Sequence, residues 1–218
     1  DKLELPREPV YLEDIAEEVT TLRKLVALFK AALVPSRLLV KARGGDQTAT
    51  VIFSSGSTAA PKGVVLTHNN IMGDLESIDR AIDIGWNDTV CAALPFFHSF
   101  GYTVTVWLPM TLGVKASYHP NPLDGETIAK LVRDNKATFL LATPTFLRTY
   151  LRKAEREDFQ SLRYVIVGAE KMRTALAEEF EKKFGKRPLE GYGTTELAPV
   201  AALSVPHLRE GNHVFTGN

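Results

Sequence analysis

Apolar positions along this chain recur with two different periods, and the order of those periods predicts its elements. Ile15, Val19, Leu22, Val26, Phe29 and Leu33 fall three or four residues apart, the spacing of one helix face. Glu13, Asp14, Glu17 and Glu18 lie at the start of that stretch and Arg23, Lys24 and Lys30 further on, an order that complements the helix dipole. Pro35 ends it, and the chain through Pro9 is polar and aperiodic. Residues 1–48 are therefore expected to hold one amphipathic helix and its lead-in. Its apolar stripe suits packing on a domain or lying on a membrane surface.

Beyond it, Ala49–Phe53 reads as a strand and Val64–Leu66 as a second β-branched run. Thr67 suits the cap of a helix to about Asp83, with Ile71, Leu75, Ile78 and Ile82 on its apolar face. Asp88–Leu94 reads as a buried strand, Tyr102–Leu112 as a helix and Gly113–Ser117 as a short strand. A regular alternation follows. Helices are expected at Glu126–Asn135, Thr145–Glu155 and Thr174–Phe184, with strands at Thr138–Ala142, Arg163–Val167 and Arg187–Glu190. Thr143-Pro144 is a cap and first-turn pair, and Gly185 a helix stop. This order predicts an α/β fold with a mostly parallel sheet flanked by helices. Ligands of such sheets bind beyond the carboxyl ends of the strands. Three loops are expected there: Ser54–Gly63, Gly168–Glu170 and Gly191–Glu196.

Composition narrows the class. The 218 residues are 44% hydrophobic and 24% charged, with formal net charge zero. That is ordinary globular composition, and without a basic block it offers no nucleic-acid footprint. One cysteine, Cys91, excludes an intrachain disulfide and fits a reducing compartment. Its apolar neighbours suit a buried, inert thiol. No signal peptide and no apolar run long enough to span a bilayer is visible.

The loop F-S-S-G-S-T-A-A-P-K-G-V, Phe53–Val64, carries the first candidate chemistry. Small residues let backbone N–H groups approach an anion, Ser54, Ser55, Ser57 and Thr58 add hydroxyl donors, and Lys62 adds a positive charge. Such a loop suits a polyphosphate, and the same composition fits a flexible surface loop. It is not a Walker A loop, because Pro61 precedes Lys62 where that pattern has Gly, and Gly63 stands where Ser or Thr would meet magnesium. The second is Gly191-Tyr192-Gly193-Thr194-Thr195-Glu196. Its glycines bring backbone close to a ligand, Tyr192 offers an aromatic face, Thr195 a hydroxyl and Glu196 a carboxylate for a hard cation.

Together these segments resemble the phosphate loop and the Y-G-x-T-E motif of the adenylate-forming superfamily of acyl-CoA synthetases, luciferases and adenylation domains. Ser54, Ser55, Gly56, Ser57, Thr58, Lys62 and Gly63 follow the first pattern, with Ala59 where the family usually has Gly. The resemblance implies part of the large N-terminal domain of such an enzyme, using ATP and Mg²⁺. It implies that Tyr192 stacks on adenine, that Thr195 contacts the α-phosphate and that Glu196 helps hold Mg²⁺. Gly168, Ala169 and Glu170 would line base and ribose alongside Gly191, Gly193 and Thr194. His98, within Pro95–Gly101, would lie at the carboxylate and acyl pocket. Lys62, Thr195, Glu196 and His98 would be the catalytic set.

Tyr11–Asp14, Pro95–Gly101, Val167–Lys171 and Leu189–Val200 further resemble the synthetase part of bifunctional 2-acylglycerophosphoethanolamine acyltransferase/acyl–acyl-carrier-protein synthetases. That implies adenylation of a fatty acid and its transfer to the pantetheine thiol of acyl carrier protein, feeding lysophospholipid reacylation. It also implies a cytoplasmic protein at the cytoplasmic face of the inner membrane. A long-chain fatty acyl-CoA synthetase using coenzyme A is the alternative, and a non-catalytic adenylate- or acyl-binding fragment another. The family's ribose-holding Asp, hinge and lysine-bearing small C-terminal domain have no counterpart before Asn218. Residues 1–218 are therefore expected to be a partial AMP-binding domain with little turnover alone.

Overall fold

The computed structural model describes residues 11–35, 38, 44–54 and 61–205. They fall into two compact units, Asp1–Gly44 and Gly45–Asn218.

In the first unit the single expected helix is two, α1 (Leu12–Glu18) and α2 (Thr21–Leu33). Thr20 takes an extended conformation and its hydroxyl accepts a hydrogen bond from the Arg23 N–H at 3.3 Å. A β-branched residue with a short oxygen here caps a new helix instead of continuing the old one. The α2 residues Leu22, Leu25, Leu28, Phe29 and Leu33 are all exposed.

The second unit begins with an antiparallel hairpin, β1 (Thr48–Ser54) and β2 (Lys62–Thr67), paired from Thr48↔Thr67 to Ser54↔Lys62. This corrects one expectation. The Ser54–Gly63 loop links two strands of a separate two-stranded sheet, not the carboxyl end of a parallel strand. Alternation of polar and apolar residues could not show which sheet the strand joins. Then comes α3 (His68–Ala81), where Thr67 and Asn70 close a capping box: the Asn70 N–H bonds the Thr67 hydroxyl and the Thr67 N–H bonds Asn70 Oδ1. Ile71, Leu75, Ile78 and Ile82 are buried as the periodicity predicted.

The main sheet contains β3 (Thr89–Ala92), β4 (Lys115–Tyr118), β5 (Phe139–Ala142), β6 (Tyr164–Val167), β7 (Leu189–Gly193) and β8 (Val200–Leu203). Its order is β4-β3-β5-β6-β7-β8. The first four pairings are parallel and the last antiparallel. Helices α4 (Gly125–Asn135), α5 (Pro144–Lys153) and α6 (Thr174–Phe184) supply crossovers. Thr143 and Gly185 cap α5 and α6 as expected, Gly185 at φ 69°.

Alternate residues of the central strands feed opposite cores. Cys91, Leu140, Ala142, Val165 and Val167 join α4, α5 and α6. Val90, Ala92, Phe139, Leu141 and Ile166 join α3 and the hairpin. Burial on both faces explains their unbroken apolar runs. The helix expected over Tyr102–Leu112 is composite: a turn at Ser99–Gly101, a π-helical stretch Tyr102–Trp107 and an α-helical end Leu108–Leu112. At the amino edge, Arg163 Nη1 reaches both carboxylate oxygens of buried Asp88, at 2.9 and 2.8 Å, tying β6 to β3.

Candidate functional site

After β3 the chain goes outward to β4 and returns to β5 on the other side, so the strand order reverses between β3 and β5. Beyond the carboxyl ends of strands at such a reversal, loops diverge and leave a crevice. Here a cavity of about 180 Å³ opens there. Its mouth is formed by His98, Ser99 and Phe100 after β3, Gly168 and Ala169 after β6, and Gly191–Thr195 of β7 and its extension. Its interior is apolar and runs between the sheet and α3, with Ile78, Ile82, Leu141 and Ile166 in its walls.

The mouth is braced by hydrogen bonds between segments far apart in sequence. The hydroxyls of Ser99 and Thr195 lie 3.3 Å apart. Thr103 donates to the Ala198 carbonyl at 2.9 Å, and the Thr194 N–H donates to the Pro199 carbonyl at 2.9 Å. The Phe100 N–H donates to His98 Nδ1 at 3.2 Å. That leaves the Nε2 of an exposed ring as the free nitrogen. Two glycines make the close approaches possible. A Cβ on Gly193 would run into the Pro199 carbonyl, and one on Gly101 into the Pro95 carbonyl. Ala169 turns the chain with φ 66°, in the left-handed region.

Of the residues singled out in the sequence, the structure brings His98, Gly168, Ala169, Gly191, Tyr192, Gly193, Thr194 and Thr195 to this one mouth. Tyr192 is 65% exposed there, an aromatic face free to meet a planar ligand. Five of the described ones, Ser54, Lys62, Gly63, Glu170 and Glu196, lie outside the lining. Lys62 starts β2 and is exposed, Glu196 is exposed one residue beyond Thr195, and Glu170 accepts a 2.7 Å hydrogen bond from the Thr145 hydroxyl. Gly191–Gly193, expected in a loop, continue β7 and pair with β8, with Tyr192 opposite Ala202. Ser54 ends β1 and Gly63 lies in β2. Ser55, Gly56, Ser57 and Thr58 lie outside the described residues.

Among the described residues no cluster of three His, Cys, Asp or Glu side chains is poised around a metal. A single exposed carboxylate, Glu196, suits a hard cation carried mainly by a ligand's phosphates and water, the usual binding mode of Mg²⁺. Cys91 is buried and its thiol is pushed up to about 12 by burial, consistent with a packing role.

Sequence reasoning missed Asp74. This α3 residue is buried, and its Oδ1 accepts from the Val200 N–H at 3.2 Å while Oδ2 has no hydrogen-bond partner in the structure. Burial pushes its carboxyl up to about 7, against the lowering effect of the Val200 bond. Its signal was an acidic residue three positions from buried Ile71 and one from Leu75 on the apolar side of α3.

An exposed tyrosine, glycine-lined strand ends and an apolar chamber thus come together at the strand-order reversal of an α/β fold. The profile of the AMP-binding enzyme family matches residues 6–216, and the chain belongs to that family. It is 33% identical over 159 residues to a long-chain-fatty-acid–CoA ligase of Yersinia pestis, covering 70% of this chain and 28% of that one. It is 28% identical over 163 residues to a medium-chain fatty-acid–CoA ligase of Escherichia coli K12, covering 74% and 28%. The chain thus spans under a third of the length of these relatives. Among solved structures, ATP-bound MatB from Rhodopseudomonas palustris superposes with TM-score 0.70 and 25% identity, covering 81% of this chain and 35% of that one. The parallel sheet with flanking helices is the fold of this family's N-terminal domain.

Proposed function

We propose that the protein of which this chain is part activates a fatty acid as its acyl-adenylate and passes the acyl group to a pantetheine thiol. The observation that carries this reading is the convergence of His98–Ser99, Gly168–Ala169 and Gly191–Thr195 on the mouth of one apolar cavity. An adenylate set there places its base by Tyr192, its phosphate by Thr195 and its acyl chain inward. The names of the relatives in Yersinia pestis and Escherichia coli support an acyl substrate and a thioester product.

In the first step a carboxylate oxygen attacks the α-phosphorus of ATP. The bond from that phosphorus to the bridging oxygen breaks, and pyrophosphate leaves with the electron pair. Two anions must meet, so the barrier falls through positioning and charge neutralisation. The Thr195 hydroxyl, fixed opposite Ser99, donates towards the phosphate. Lys62 supplies positive charge from β2, and His98 Nε2 faces the carboxylate. Bound Mg²⁺ at Glu196 would neutralise phosphate charge. In the second step a thiolate attacks the acyl carbonyl, the bond to AMP breaks, and the thiol proton goes to solvent.

The wording of segments such as Leu189–Val200 favours acyl carrier protein as the acceptor, within lysophospholipid reacylation at the cytoplasmic face of a membrane. The relatives' names favour coenzyme A, the second reading. Both share the pantetheine thiol. Giving the full-length protein an ¹⁸O-labelled fatty carboxylate, ATP and either acceptor tests the scheme. Label is expected in the AMP, with thioester on the preferred acceptor; ADP or label in inorganic phosphate would refute an acyl-adenylate.

A further inference from the structure

The inner end of the cavity sets a length on whatever enters it. Gly168 marks the mouth, two residues past Ile166, which pairs with Leu141, itself two residues past Phe139. Phe139 in turn pairs with Val90 of β3, and both line the cavity. Mouth to inner end is therefore four strand residues, ~13 Å at ~3.3 Å each. Ile82 and Ile84, just past α3, also line the cavity, and Asp83 between them reaches the amino edge of the sheet through Arg163. Arg163 braces this wall: besides Asp88, it donates to the Asp83 carbonyl at 3.1 Å, beside Ile84.

A depth of this size and a volume of about 180 Å³ leave a slot one alkyl chain wide. C–C bonds of ~1.5 Å advance an extended chain by ~1.3 Å each, so about ten carbons fill the depth. A cavity of ~150 Å³ holds the six carbons of benzene, so the volume admits about seven or eight. No Asp, Glu, Lys or Arg lines the cavity among the described residues, so the charged end of the ligand stays at the mouth. Building on the adenylating reading above, we infer that this site takes an unbranched medium-chain acyl group of about seven to ten carbons. Ile84 and its neighbours act as its gauge.

The test is calorimetric titration of this chain with alkanoyl sulfamoyl-adenosines from four to sixteen carbons, for the wild type and for Ile84→Ala and Ile84→Trp. Ile84 is half-buried, and thermal melts establish that each variant folds. Affinity should rise about fourfold per methylene while the chain is entering apolar space. It should then break at about seven to ten carbons and fall at least tenfold by fourteen. Ile84→Ala should move the break to longer chains and Ile84→Trp to shorter ones. Affinity that climbs through sixteen carbons, or a break that neither variant moves, overturns the length limit and leaves the adenylating reading standing. Binding no tighter than that of adenosine alone, at every length, overturns the adenylating reading itself.

Discussion

At the scale of single residues, the mouth depends on a close backbone approach at Gly193, and stability on a carboxylate buried in α3. Gly193 lets β7 pass beside the Pro199 carbonyl, and that contact holds Tyr192 and Thr195 on either side of it. Gly193→Ala should cost about 1–3 kcal/mol in stability through overpacking and weaken adenylate binding at least tenfold, read by melting and calorimetry. Unchanged values for both would show that the approach is not needed. Asp74 makes a different prediction. Its carboxyl is raised from 3.8 to about 7 by burial, so the folded state holds a proton that the unfolded state has released. The stabilising neutral form is fully present below pH 3.8, and its contribution is lost as pH rises through about 7. With 1.36 kcal/mol per unit the loss is ~4 kcal/mol. Asp74→Asn, which keeps an acceptor for the Val200 N–H, should flatten the fall in denaturation midpoint between pH 3.8 and about 7. An unaltered pH slope would assign the effect elsewhere.

At the scale of elements, α3 is the hinge between the hairpin and the cavity wall. Its capping box holds its first turn directly after β2, and its last turns present Ile78 and Ile82 to the cavity. Thr67→Ala removes a cap bond, so urea denaturation should show a loss of about 1 kcal/mol; a neutral effect would mean that packing alone fixes the helix start. The helices and parallel strands were legible because burial on both faces writes long apolar runs, and caps such as Thr143-Pro144 and Gly185 write their own signatures. Three features were not. Thr20 breaks the first helix through a local hydroxyl bond that competes with an otherwise continuous apolar stripe. The π-helical stretch Tyr102–Trp107 differs from α-helix in hydrogen-bond register, to which the spacing of apolar residues is nearly blind. β8 is short, and Val200–Leu203 has no polar alternation to mark it. The motifs at the mouth could be read from residue types, yet the cavity behind them could not. Its walls come from alternate residues of β3, β5 and β6, and only pairing register brings Val90 and Phe139 side by side.

At the scale of the whole molecule, His98–Ser99 and Gly191–Thr195, distant in sequence, meet at one mouth beyond the carboxyl ends of the strands, where the order reverses between β3 and β5. The same reversal opens apolar space behind them. Tyr192, 65% accessible, buries little of its ring in the fold and leaves an aromatic face free for a planar ligand. Titrating this chain calorimetrically with a non-hydrolysable fatty acyl-adenylate analogue, beside Tyr192→Ala and Lys62→Ala, tests the central claim directly. The wild type should bind, and Tyr192→Ala should weaken binding by about 5- to 150-fold, the range expected from ~1–3 kcal/mol of base stacking. Lys62→Ala should matter less, because the analogue lacks β- and γ-phosphates. A cooperatively melting wild type that does not bind, or a Tyr192→Ala variant that binds as tightly, would contradict an adenylate site at this mouth.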